Sequence, residues 1–249
     1  MMIDPDQPEA AFPSPPLVGW AGLWFASLFP TALTWIYFIA LADQSTGWQQ
    51  FAFSLGKAIQ FVWPLAWCCM WDRKALSLRT AGTAGVPLGM AMGLLVLGAM
   101  LVLYAGILSP QGLFREAETM IRAKVAALGI AKPWQMVAVS VFYCVVHSFL
   151  EEYYFRWFLH VRLEERLGFL PAAAWSGVAF MAHHIVVLGA YLGFSSWLTW
   201  FLSLSIAVGG GLWSWLYRRS GNLLAPWVSH ALVDAGIFLI GYHVVFPRN

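Results

Sequence analysis

Residues Phe149–Leu159 read FLEEYYFRWFL. Two adjacent glutamates and, one helical turn on, an arginine stand among aromatic and aliphatic side chains. Composition tells which solvent to expect around them. Of the 249 residues, 60% are apolar, 16% aromatic and only 10% charged, against about 25% charged in soluble domains. The stretch is built for lipid, and its three ionisable residues are the anomaly to be explained.

Working outward, a spanning helix needs roughly 20 predominantly apolar residues. Seven such runs lie near 18–42, 51–71, 86–108, 134–157, 170–191, 197–217 and 223–246. The first contains Pro30 and could divide into a surface piece and a helix, so seven or eight spans are both open. Between the third and fourth runs, 111–132 mixes Leu113, Phe114, Ala117, Met120, Ile121 and Leu128 with Arg115, Glu116, Glu118, Arg122 and Lys124. That spacing predicts an amphipathic helix, either lying in the interface or serving as a solvated connector. The expected fold is all-α, a polytopic membrane helix bundle. It follows a tail over 1–17, rich in proline and acids and without the positive region that a secretory signal carries. Residues 18–249 form one membrane domain in this reading.

Net charge is +2, too small to indicate a nucleic-acid partner. Cys68, Cys69 and Cys144 lie in apolar runs without metal or disulfide spacing and read as packing residues. Arginine and lysine in the loops near 72–85 (Arg73, Lys74, Arg79), 158–169 (Arg162, Arg166) and 218–222 (Arg218, Arg219) favour the cytoplasm for that side. The expected location is the plasma (inner) membrane, with the site facing the cytoplasm.

Charge inside the hydrocarbon costs about 2.5–3.5 kcal/mol per residue on insertion scales, so each intramembrane ionisable group needs a reason. Glu152 and Arg156 are one turn apart with the acid first, the favourable order for a pair. Glu151 points about 100° away. His230 and Asp234 are also i and i+4, so the carboxylate can orient the ring. Phe180 and His184 share a face of their helix; His183, rotated away, reads as an interhelical hydrogen bond. His147 either tunes Glu151 or packs, and Lys57 is expected to snorkel to the interface.

Taken singly, each group has a structural explanation, such as an ion pair or a satisfied histidine. Together they exceed what polar glue between membrane helices requires, which is usually Ser, Thr or Asn. A buried carboxyl holds its proton more tightly than one in water and can act as a general base near neutral pH. An imidazole beside it could help to deprotonate water, and a second could donate to an oxyanion. That is the chemistry of a water-activating hydrolase. No GxSxG or HExxH motif occurs. A glutamate with two histidines could still hold a divalent metal on ligand type alone.

Glu151-Glu152-x-x-x-Arg156, Phe180-x-x-x-His184 and His230-x-x-x-Asp234, in that order on successive membrane helices, resemble the CPBP family. These are the CAAX-prenyl-protease and bacteriocin-processing (Abi) glutamic intramembrane endopeptidases. The resemblance covers about 134–240. It implies a helical bundle around a conical cavity, with Glu151 as catalytic base, His184 as its partner on water, and His230 with its third-motif partner as the oxyanion site. Glu152 and Arg156 would support that site. Asp234 stands where members often have Asn; an ionised aspartate is a poor oxyanion donor, so its expected role is to orient His230. No cofactor is implied. The implied partners are the lipid bilayer and a membrane-anchored or lipidated peptide or protein substrate. The same residues leave open a non-catalytic family member with a binding or immunity role, and a haem protein using paired histidines. A transporter is also open, although no internal repeat is present.

Overall fold

Each apolar run forms a helix, because in lipid a backbone must satisfy its own hydrogen bonds. The computed structural model describes residues 17–72 and 82–247. Most of the expected N-terminal tail, and the basic residues Arg73, Lys74 and Arg79, lie outside them. The described chain has eight helices and no strand. They are α1 (17–40), α2 (46–72), α3 (Val86–Leu108), α4 (Arg115–Ala127), α5 (Pro133–Leu167), α6 (Phe169–Leu192), α7 (Trp197–Ser220) and α8 (Leu224–Val245). Helices α1, α3, α5, α6 and α8 are long and apolar enough to cross a membrane. The first run is one helix that carries Pro30 internally, so it does not add a separate surface piece. The protein is an integral membrane protein, a polytopic all-α bundle.

Two boundaries differ from expectation. Helix α2 begins at Thr46, capped by Ser45, which puts Lys57 three turns inside rather than one. Helix α5 continues through the expected 158–169 loop to Leu167. Polarity ended the apolar run there without ending the helix. His160 and Glu164 pair at 3.2 Å in an i, i+4 relation, Arg166 donates to the Arg162 carbonyl, and the turn comes only at Gly168, with φ +78°.

Helix α5 is the axis of the bundle. Its residues 151–160 are all buried, the signature of a helix surrounded by others. Around it α3 packs on α8, α6 on α7, and α1 on α6. These contacts use small residues, which let backbones approach without a hydrophobic driving force. A Cβ at Gly89 would stand 2.2 Å from the Ala225 carbonyl oxygen, and one at Gly177 2.7 Å from that of Ala207. Gly89→Ala and Gly177→Ala should therefore each lower stability by about 1–3 kcal/mol, read as thermal unfolding in detergent. Gly98→Ala and Gly209→Ala, where a Cβ meets nothing within 4 Å, serve as controls; equal losses at all four positions would contradict the account.

The amphipathic α4, with Ala117 buried, packs against α8 and α6. Tyr104 donates to Glu118 at 3.2 Å. Lys124 donates to Gln49 at 3.2 Å and lies over the Tyr37 ring at 4.4 Å. Helix α4 is thus tied into one end of the bundle rather than hanging between spans.

Candidate active site

The turn at 220–223 sets the register of α8. Gly221 adopts φ +68° at the end of α7, a position that suits glycine. Asn222 then accepts from the backbone N–H groups of Leu224 and Ala225 and donates to the Ala84 carbonyl. This fixed start carries His230 to the level of the α5 glutamates. On α5, π-helical turns over Phe142–His147 and Tyr153–His160 bracket the short α-helical piece that holds Glu151 and Glu152. Turns of this kind are frequent at functional sites, and nothing in the apolar pattern announces them.

The Glu151 carboxylate is 5% exposed and ringed by basic groups. His183 Nε2 lies 3.7 Å from Oε1 and His147 Nδ1 3.7 Å from Oε2. His230 Nε2 is 3.8 Å from Oε2, and Lys57 Nζ is 3.9 Å from Oε1. All four distances exceed a hydrogen bond, so the carboxylate is surrounded rather than clamped. His147 thereby takes the first of its two expected positions, against the acid.

Glu152 is fully buried and divided between two partners. Its Oε1 accepts from His230 Nδ1 at 2.8 Å, and its Oε2 lies 3.2 Å from Arg156 Nε. The Arg156 guanidinium makes no hydrogen bond among the described residues; charge and aromatic faces hold it. It sits over the rings of Phe180 at 5.0 Å, Trp213 at 5.4 Å and Phe155 at 5.9 Å. Phe180 therefore packs between the supporting arginine and the histidines, its ring 4.6 Å from that of His184.

The Nδ1 proton of His184 goes to the Phe180 carbonyl at 2.8 Å. Since a carbonyl can only accept, Nε2 carries the lone pair in the neutral ring. His184 is half-buried, whereas its neighbour His183 is buried and stacked on Phe155 at 5.7 Å. His183 is the histidine of this pair found beside Glu151. Asp234 reaches His230 Nε2 only at 3.7 Å. The close partner that orients His230 is Glu152, with Trp213 stacked on its other side at 4.2 Å and 16°.

Several of these neighbours were not expected. Lys57 turns inward instead of snorkelling. From Thr46 it is eleven residues into its helix, about 16 Å at 1.5 Å per residue, beyond the reach of a lysine stem. Trp213 comes from α7, a helix without an ionisable residue at this depth to draw notice. The partly exposed His147 and Asp234 lie one turn from Glu151 and His230 toward the α4 end, and Tyr143 packs on Phe238 a turn further at 5.4 Å. In the other direction 152–160 is sealed. The accessible edge thus faces away from the 218–222 loop with its Arg218 and Arg219.

Among the described residues no three His, Cys, Asp or Glu side chains are grouped to hold a metal ion. The fold and the centre together define an all-helical membrane protein with a buried acid–histidine cluster at its axis. Residues 133–236 match the model of a family described as type II CAAX prenyl endopeptidase Rce1-like. The chain is similar to that family over this segment, and its three motifs all lie inside it. No curated protein and no solved structure matches the chain. The family's general activity is CAAX-type intramembrane proteolysis, that of a hydrolase working at the membrane.

Proposed function

We propose that the protein is an intramembrane endopeptidase that hydrolyses a peptide bond of a membrane-anchored or lipidated substrate with water activated by Glu151 and His184. The observation that carries this reading is the Glu151 carboxylate itself. It is held deep in the bundle, ringed by imidazoles from its own helix, α6 and α8 at 3.7–3.8 Å, with no hydrogen bond among the described residues to commit it elsewhere.

In this reading Glu151 takes a proton from water while His184 Nε2 accepts a hydrogen bond from the same molecule. The water oxygen bonds to the peptide carbon, and the carbonyl electron pair moves onto oxygen. His230 Nε2, when protonated, donates to that oxyanion, with Asp234 beside it and Glu152 fixing the ring through Nδ1. The intermediate collapses by breaking the C–N bond. The proton held on Glu151 passes to the leaving nitrogen, giving an amine and a carboxylic acid, which then loses its remaining proton to solvent. Arg156 anchors Glu152, and Phe180 separates that anchor from the water. The substrate reaches Glu151 from the α4 end, where the site is partly open. A prenylated tail is the substrate class that the family's description names.

Comparing membrane proteins and their C-termini in wild-type and Glu151→Gln cells tests the assignment. An uncleaved precursor should accumulate in the variant. Identical profiles, with normal cellular activity of the variant, would instead indicate a non-catalytic member that keeps the motifs as scaffold.

A further inference from the structure

Among the described residues, Lys57 is the member of the Glu151 ring that comes from outside the matched segment. It stands on α2, and its place follows from the spacing Phe53, Lys57, Phe61. The rings at i−4 and i+4 lie 5.5 and 5.4 Å from Nζ, so the ammonium is held between two aromatic faces. Phe61 in turn meets Tyr154 and His147 of α5, with ring centroids 6.4 and 6.1 Å apart. The lysine side chain is 16% exposed, and its Nζ is 3.9 Å from Glu151 Oε1. A cation this deep in a bundle is expensive unless an anion faces it, and Glu151 is that anion.

We infer that Lys57 is a positioning residue for the proposed reaction, supplied by α2 to hold the Glu151 carboxylate in its ionised, water-accepting form. The inference rests on the reading of Glu151 as base. Several other groups also face this carboxylate. His147, Glu152 and Arg156 stand on its own helix, His183 and His184 on α6, and His230 and Asp234 on α8. The His183, His147 and His230 imidazoles can each be neutral and still occupy their places. An amine at under 4 Å acts mainly through its charge, and an opposite charge at that range favours the carboxylate strongly. The lysine also assigns a task to the front half of the chain, which contributes no motif of its own.

The test uses the full-length protein in lipid vesicles and two readouts. Infrared titration follows the protonated-carboxyl band of Glu151, identified by its loss in Glu151→Gln. In Lys57→Gln that band should appear at a pH higher by about one to three units than in wild type, and Lys57→Arg should restore most of the difference. Lys57→Met keeps the aliphatic stem and should behave as Lys57→Gln does, which covers a failure of the glutamine variant to fold. Cleavage of a farnesylated, internally quenched peptide should fall about tenfold or more in Lys57→Gln at neutral pH. The acid limb of its pH profile should move with the infrared midpoint. Superimposable titrations of wild type and both neutral variants would overturn the inference, as would a shift that Lys57→Arg fails to reverse, which marks a packing role. If Glu151→Gln still cleaves the peptide, the reading of the base fails, while the infrared comparison still decides the link between Lys57 and Glu151.

Discussion

Glu151→Gln should reduce peptide hydrolysis by at least about 10³-fold while the bundle stays folded. General-base assistance alone is worth about 10²–10⁴, and no other acid among the described residues is positioned to replace this one. Glu152 is fully buried and already shared between His230 and Arg156 at 2.8 and 3.2 Å. Asp234 belongs to a different helix and lies 3.7 Å from His230. Glutamine keeps the shape of the side chain and removes its charge together with its capacity to take a proton. Initial rates on a membrane-anchored quenched peptide in vesicles, together with thermal unfolding of the same preparation, provide the check. A variant that keeps a tenth of the wild-type rate would end the assignment of Glu151 as base. His184→Ala should fall in the same direction by about 10²-fold or more.

The second large effect falls on stability. Arg156→Ala should destabilise the protein by about 3–5 kcal/mol, the cost of leaving a buried carboxylate without its cation. The geometry leaves little room for relief. Arg156 and Glu152 are both 0% exposed, so water cannot replace the lost charge, and truncation also empties the space among Phe155, Phe180 and Trp213. The double variant Glu152→Gln, Arg156→Met removes both charges and fills much of that space. It should therefore recover a substantial part of the loss, although His230 then faces a neutral amide where the carboxylate stood at 2.8 Å and activity does not return. Unfolding measurements on the single and double variants read the coupling directly. Additive losses would mean that the pair is not a unit.

How much of this was legible before the structure depends on what each signal measures. Apolar run length reports burial in lipid, and it located all seven long helices. It could not locate the end of α5, because Arg162, Glu164 and Arg166 are polar and helical at once. The i, i+4 spacings reported neighbours along one helix, so Glu152–Arg156 and His230–Asp234 were visible as pairs. Contacts between helices have no such period. The stronger partner of His230 is Glu152, from another helix, and Lys57 meets Glu151 from a segment almost a hundred residues earlier. The Phe53, Lys57, Phe61 triplet was a readable sign that the lysine is held rather than extended, as was Gly89-x-x-x-Gly93 for the α3–α8 contact. His183 and His184 show the limit most clearly. Adjacent residues differ by 100° on a helix, and only the facing helices decide which of them meets the acid and which keeps a free nitrogen.

The unbroken buried run over 151–160 of α5 also bears on how the protein is made. Glu151, Glu152 and Arg156 each oppose entry into lipid by about 2.5–3.5 kcal/mol. The α8 and α6 histidines that surround Glu151, and the Trp213 face of α7 that covers Arg156, are all synthesised after α5. Of the helices made earlier, α1 and α2 are the ones seen against its central stretch among the described residues, and Lys57 on α2 is a group able to meet its charge. Helix α5 is therefore a segment that settles in the bilayer as part of a group. Shortening the chain before α8 should leave it unassembled and open to degradation, even though the first seven helices are complete.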